Sequence, residues 1–175
     1  MSMTKKSRSR SVAESDRKKL RQVSKLVELS DVKLCEVSLR SEGDCSSVEG
    51  GFNRLVVQHG SSPQLDLENN VLTVMVPFSV EMSGDEDEEG NESLRIYICG
   101  SYELVYELDF KKVSDQDAID VFADVNAPFN AWPYIRELVQ SLTSRMGMCQ
   151  LTVPVYRPDA PQKIRYSKKT KRGPA

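Results

Sequence analysis

Histidine, cysteine and tryptophan are scarce in this 175-residue sequence, which has one, four and one of them, and the shortages remove whole classes of chemistry. A single histidine, His59, leaves no imidazole pair for acid–base relay and no standard histidine-containing metal cluster. It lies in Gln58-His59-Gly60-Ser61-Ser62-Pro63, whose residues are those of a turn, so an exposed loop histidine is expected. The cysteines, at 35, 45, 99 and 149, include no pair spaced to point at one metal ion or to form a redox pair, and all four are expected to be reduced. Cys35, Cys99 and Cys149 fall in apolar stretches, where a small buried hydrophobe is the usual role, and Cys45 falls in a Ser/Gly-rich loop. Neither a nucleophile–base pair nor a phosphate-cradling glycine loop is found. No catalytic residue, metal site or cofactor is therefore expected, and the protein is not read as an enzyme. Apolar runs of the roughly 18 residues that span a bilayer are also missing, and no apolar stretch follows the first basic residues. Neither membrane insertion nor a secretory leader is expected, and a cytoplasmic location is.

What the sequence does have is charge, unevenly placed. The formal net charge of −2 averages three regions. Residues 1–28 carry +6, residues 157–175 carry +6, and residues 29–156 carry −14. The middle is long enough to bury a core, so the expected organisation is a basic N-terminal tail with a short helix, one domain over 29–156, and a basic, disordered C-terminal tail over 157–175.

Hydrophobic periodicity outlines the domain. Residues 1–19 are polar and expected to be disordered at first, and Leu20, Val23 and Val27 outline a short amphipathic helix. Residues 32–39 read as a strand whose alternation changes face near Cys35–Glu36, which predicts a bulge. A crossover follows, with a short apolar piece opened by Phe52 and continued by Leu55-Val56-Val57, then turn residues around Leu65 and Leu67. Residues 71–82 place Leu72, Val74, Val76, Phe78, Val80 and Met82 on one parity. Residues 93–110 place Ile96, Ile98, Tyr102, Leu104, Tyr106 and Leu108 on one parity, with Gly100 as the natural place to bend. Between them Gly84-Asp85-Glu86-Asp87-Glu88-Glu89-Gly90 is an acidic hairpin tip. Pro77 cannot donate to a ladder and argues for an edge or a bulge. The period then becomes helical. Ser114 with Asp117 resembles a capping box ahead of Ala118, Ile119, Phe122 and Ala123. Residues 125–130 are expected to break that helix, and Pro133 to open a second, with Ile135, Leu138, Val139, Leu142 and Met146 on one face and Gly147 past its end. A last short strand is expected over 151–156. Sheet and helix are segregated, so the fold class is α+β.

The stretch Asn126-Ala127-Pro128-Phe129-Asn130-Ala131-Trp132-Pro133-Tyr134-Ile135-Arg136-Glu137, followed by Ser141, Arg145-Met146-Gly147-Met148, Leu151 and Val153-Pro154-Val155, resembles the hallmark region of the SecB protein-export chaperone family. The order of elements before it is similar as well. The resemblance implies a four-stranded antiparallel sheet with a long helix packed on one face, assembled as a dimer of dimers. Export SecB continues into a second amphipathic helix that contacts the motor SecA. Here Arg157-Pro158-Asp159-Ala160-Pro161 leads instead to Lys168-Lys169-Thr170-Lys171-Arg172, so the chain looks more like the solitary SecB-like proteins that guard antitoxins.

The implied function is ATP-independent holding of unfolded or non-native polypeptides, in protein export or in antitoxin protection. SecA or an antitoxin is then the implied specific partner. A holding chaperone needs exposed apolar surface, which returns about 25 cal/mol per Å² on contact, less the cost of ordering the client. The candidates for client contact are Phe52, Leu55 and Val57 in the crossover, Met75, Tyr97 and Val105. Trp132, Tyr134, Leu138 and Leu142 are the candidates for the oligomer interface, and Arg136 with Glu137 is read equally as a solvated face or an ion pair. A competing reading is an adaptor with a fixed protein partner, whose basic tails contact nucleic acid through phosphate neutralisation.

Overall fold

A computed structural model describes residues 14–43, 54–83, 94–109, 113, 115–147, 151, 153–156 and 163–165. The expected acidic tip, the basic run at 168–172, Phe52, Cys45, Cys149 and Ser114 lie outside the described residues. In chain order the elements are α1 (Glu14–Ser24), β1 (Val27–Gly43), β2 (Arg54–His59), β3 (Ser62–Asp66), β4 (Val71–Ser83), β5 (Leu94–Leu108), α2 (Gln116–Arg145) and β6 (Lys163–Arg165). Among the described residues six strands form one sheet in the order β1-β5-β4-β2-β6, with β3 beside β4, and every pairing is antiparallel. The class is α+β as expected. The crossover, however, supplies two strands, β2 and β3, whereas residues 151 and 153–156 are not a strand at all. The C-terminal segment, expected to be disordered, places β6 on the sheet edge. Neither described helix is long and apolar enough to cross a membrane.

The core follows from the two alternating segments. Leu72, Val74, Val76, Phe78, Val80 and Met82 of β4 pair row by row with Tyr106, Leu104, Tyr102, Gly100, Ile98 and Ile96 of β5, and all are buried. Opposed residues share a face in an antiparallel pair, so the rows make one apolar face. β1 extends that face. Val27, Leu29, Val32, Leu34, Val37 and Leu39 oppose Leu108, Tyr106, Leu104, Tyr102, Gly100 and Ile98. Register shifts between Leu29 and Asp31 and between Leu34 and Glu36 insert Ser30 and Cys35 as extra residues, switching the apolar parity twice. The second is the expected bulge. Val27, expected in the helix, instead opens this strand.

Gly100 sits where the second bulge brings backbone close: a Cβ there would lie 2.5 Å from the Glu36 carbonyl oxygen and 2.9 Å from Phe78 Cζ. Its role is close approach, and β5 runs through it. Pro77 occupies neither an edge nor a bulge. It lies inside β4 where one neighbour ends and the other begins, because β3 pairs only through Met75 and β2 only from Phe78. Its carbonyl accepts from Gly60 N at 3.0 Å, so the missing N–H falls at the break between β2 and β3.

α2 is one helix of 30 residues, not two. Ile119, Ala123, Ala127, Ala131, Ile135, Val139 and Thr143 recur in steps of four through Pro128 and Pro133, and all are buried. Each proline removes one hydrogen bond, and continuous burial along this stripe offsets the loss. The first turn is capped by Asp115, whose carbonyl accepts from Ala118 N and Ile119 N, without a side-chain cap bond. At the other end Gly147 takes φ +72°, the left-handed conformation expected there. α1 packs on α2 through Val23, an Asn126 Nδ2 to Ser24 Oγ bond of 3.1 Å and a Lys19–Asp117 ion pair of 3.3 Å.

Candidate functional site

α2 lies mainly on β3, β4 and β5, and β1 falls outside its main contacts. The apolar face of β1 continues the core, yet Leu29, Leu34, Val37 and Leu39 are 37–44% exposed. The opposite face carries Asp31, Lys33, Glu36, Arg40 and Glu42, with ion pairs Lys33–Asp31 (3.3 Å), Lys33–Glu103 (3.5 Å) and Arg40–Glu42 (2.7 Å). Asp31 and Glu103 together raise the Lys33 pKa. Charge on an edge strand discourages indiscriminate pairing, so only the apolar side of β1 is left asking for a partner.

The inner border of this apolar shelf is aromatic. Tyr102, opposite Leu34, stacks on Phe78 at 5.8 Å, lies 6.0 Å from the Tyr134 ring and donates its hydroxyl to the Tyr134 carbonyl at 3.2 Å. Burial first, then the nearby Glu137 and Tyr134, push the Tyr102 phenol up to about 12. Tyr134 itself is half-exposed and continues the shelf onto the helix. Further along α2, Tyr106 is raised to about 12 by burial; its ring meets Phe122 edge-on and its hydroxyl accepts from Asn130 Nδ2 at 3.1 Å.

The far side of α2 is closed by residues 151 and 153–156, which form a strap. Trp132 Nε1 donates to the Pro154 carbonyl at 2.6 Å, and Arg136 Nε donates to the Val153 carbonyl at 2.7 Å. Tyr156 packs on Trp132, His59 and Phe129, with ring centroids 5.1, 5.2 and 6.3 Å apart. Arg136 is thus used in holding the strap, and no Arg136–Glu137 ion pair is present. His59 is not an exposed turn residue. It ends β2, its ring meets Trp132 and Tyr156 edge-on, and its Nδ1 is shut away without a protein partner, so burial lowers its pKa. Cys35 and Cys99, expected to be buried, are exposed: one is the extra residue of a bulge, the other points from the charged face of β5.

The residues singled out for client contact do not form one surface. Met75, Tyr97 and Val105 lie on the sheet face away from α2, partly buried and opposed to Glu103, Glu81 and Asp31. Val57 is buried in the core, Leu55 holds a place in β2 opposite Met82, and Phe52 is not described. Of the interface candidates, Trp132 is 3% exposed and committed to the strap, Leu138 and Leu142 are partly buried against the core, and Tyr134 borders the shelf. Leu29, Leu34, Val37 and Leu39 were missed as site residues. Their alternation is visible in the sequence, but alternation reports a shared face and not whether another element covers it. Among the described residues no cluster of His, Cys, Asp or Glu is placed to hold a metal.

No family model matches the sequence, and no curated protein matches it as a relative. Among solved structures, the chain is similar to the Mycobacterium tuberculosis SecB-like chaperone Rv1957, determined in complex with a peptide from the HigA1 antitoxin. Sequence identity is 12%, the TM-score is 0.68, and the match covers 81% of this chain and 99% of that one. A protein of unknown function from Streptococcus agalactiae matches more loosely, at 10% identity and a TM-score of 0.37 over 73% of this chain and 96% of that one, and carries no argument. The chain shares the fold of a SecB-like chaperone.

Proposed function

We propose that this protein is an ATP-independent holding chaperone for non-native polypeptides. The observation that carries this reading is the apolar shelf of Leu29, Leu34, Val37, Leu39 and Tyr134, left uncovered beside an intact core. A folded client has no spare apolar surface to offer it, whereas an unfolded segment does, and desolvation of both supplies the affinity. An antitoxin-like segment is the client this reading favours, because the solved SecB-like chaperone of similar fold holds an antitoxin peptide. In this reading the protein is a homotetramer, a dimer of dimers. The open edge of β1 and the helix residues Tyr134, Leu138 and Leu142 meet other copies, and clients share the apolar surface that assembly leaves free.

The test is suppression of aggregation of a chemically unfolded client without nucleotide, by wild type and by a Leu34→Ser/Val37→Ser/Leu39→Ser variant. Suppression by wild type and its loss in the variant is expected. A monomer that suppresses nothing would end the proposal.

One observation favours the second reading, in which basic segments contact nucleic acid. Arg17, Lys18 and Arg21 recur on one exposed face of α1, with Glu14 as the acidic residue on that face and exposed Lys25 in the turn that follows. Binding to duplex DNA or RNA that weakens steeply with salt, and that is lost on replacing these four with Gln, supports that reading; salt-independent or absent binding removes it.

A further inference from the structure

Residues 163–165 make a contact with the body that the chaperone reading does not use. β6 lies antiparallel along the outer edge of β2, with Arg165, Ile164 and Lys163 opposite Arg54, Leu55 and Val56. It covers half of the six-residue strand. An extended chain seated on a sheet edge is the way that many domains take a peptide, through main-chain hydrogen bonds with side-chain preference at alternate positions.

The pairing is weak by its own register. Three residues supply few ladder bonds, and Pro158 and Pro161 lack the N–H groups that would add more. Arg165 directly opposes Arg54, while the same row continues through Ser83 to Arg95 on β5, which is itself opposed to Glu42 on β1. Like charges at opposed positions weaken a ladder. The next rows are different: Ile164 falls in line with Leu55 and Met82, and Lys163 in line with Val56 and Glu81. The segment therefore matches the edge best at Leu55, since Val56, opposed to Lys163, is a buried apolar residue. A tether keeps such a weak strand competitive, because a short linker holds it at an effective concentration of about millimolar.

We propose that β6 is an intramolecular occupant of a strand-addition site, displaced when an extended client pairs with β2. The client segment that fits best is apolar opposite Leu55 and acidic opposite Arg54, so it wins at the position where the chain's own segment carries Arg165. The tail then sets a threshold: sequences without the acidic residue gain little over the resident strand, and those with it displace it. This rests on the holding-chaperone reading and adds its regulation.

The experiment uses the full chain in three forms, wild type, Ile164→Pro and Arg165→Glu, with labelled, reduced and carboxymethylated lactalbumin as the unfolded probe. Proline removes a donor and unseats β6, so Ile164→Pro is expected to bind the probe several-fold more tightly. Arg165→Glu gives Arg54 an opposed partner of opposite sign and is expected to weaken probe binding on the order of two- to fivefold. Amide exchange at 163–165 is expected to quicken in the first variant and slow in the second, which checks the strand independently of any client. Equal affinities in all three chains, or both variants moving in one direction, overturn the proposal. If none of the three binds the probe, the chaperone reading itself fails.

Discussion

β1 and β5 are neighbours with the same amphipathic design, and they meet different fates. Row by row their apolar residues oppose one another, yet Ile98, Leu104 and Tyr106 are buried while Leu39 and Leu29 stay exposed. The difference lies in a third element: α2 packs mainly on β3, β4 and β5, in the middle of the sheet, and not on β1 at its edge. An apolar face is thus not a core by itself. It becomes one when something covers it, and the uncovered remainder is what a chaperone would use.

That contrast is sharpest in stability. Leu104→Ala, in the covered part, is expected to cost about 2–5 kcal/mol in denaturant unfolding. A loss below about 1 kcal/mol would mean that α2 does not seal β5. Next is Gly100→Ala, where the new methyl meets the Glu36 carbonyl and the Phe78 ring at the junction of the two strands. A loss of about 1–3 kcal/mol is expected, and an unchanged midpoint would show that the bulge relaxes freely. Trp132→Phe keeps an aromatic ring, though a smaller one, and deletes the bond to the Pro154 carbonyl. It is expected to cost about 0.5–1.5 kcal/mol and to speed amide exchange in the strap while leaving β1 unaffected. Exchange that rises equally in both regions would deny the strap its separate role.

At about pH 6 acid should act first on the covered side. The unfolded chain titrates His59 near its ordinary 6.5, and burial holds the folded value lower. Between the two values the unfolded state binds more protons, so stability is fully present above 6.5 and falls as pH drops through that window. His59→Gln should flatten this part of the stability–pH curve, and an unchanged slope would place its origin elsewhere. The smallest expected effect is at the shelf: Leu34→Ser should alter stability by no more than about 0.5 kcal/mol, although in the chaperone reading it weakens client binding. A large stability loss there would show that the shelf is already covered within one protomer.

Much of the fold was legible because period-2 alternation survives any environment. The β4 and β5 faces and the bulge at Cys35 follow from it, and Gly147 was readable as a helix end from its lack of a Cβ. The helix was read as two because Pro128 and Pro133 outweighed a stripe that runs through both. Local rules cannot weigh a lost hydrogen bond against burial along 30 residues. His59 was misplaced for a related reason: turn residues surround it in sequence, while Trp132 and Tyr156 surround it in space.

The sequence by itself determined which residues share a face, where the chain turns and how its charge divides, since these depend on residue type and near neighbours. Only the tertiary structure decided which apolar face is core and which is shelf, that Trp132 and Arg136 clasp a strap, and that the C-terminal segment reaches the β2 edge. Those outcomes depend on where α2 lies and how far it extends, a property of packing between distant segments that no local pattern encodes.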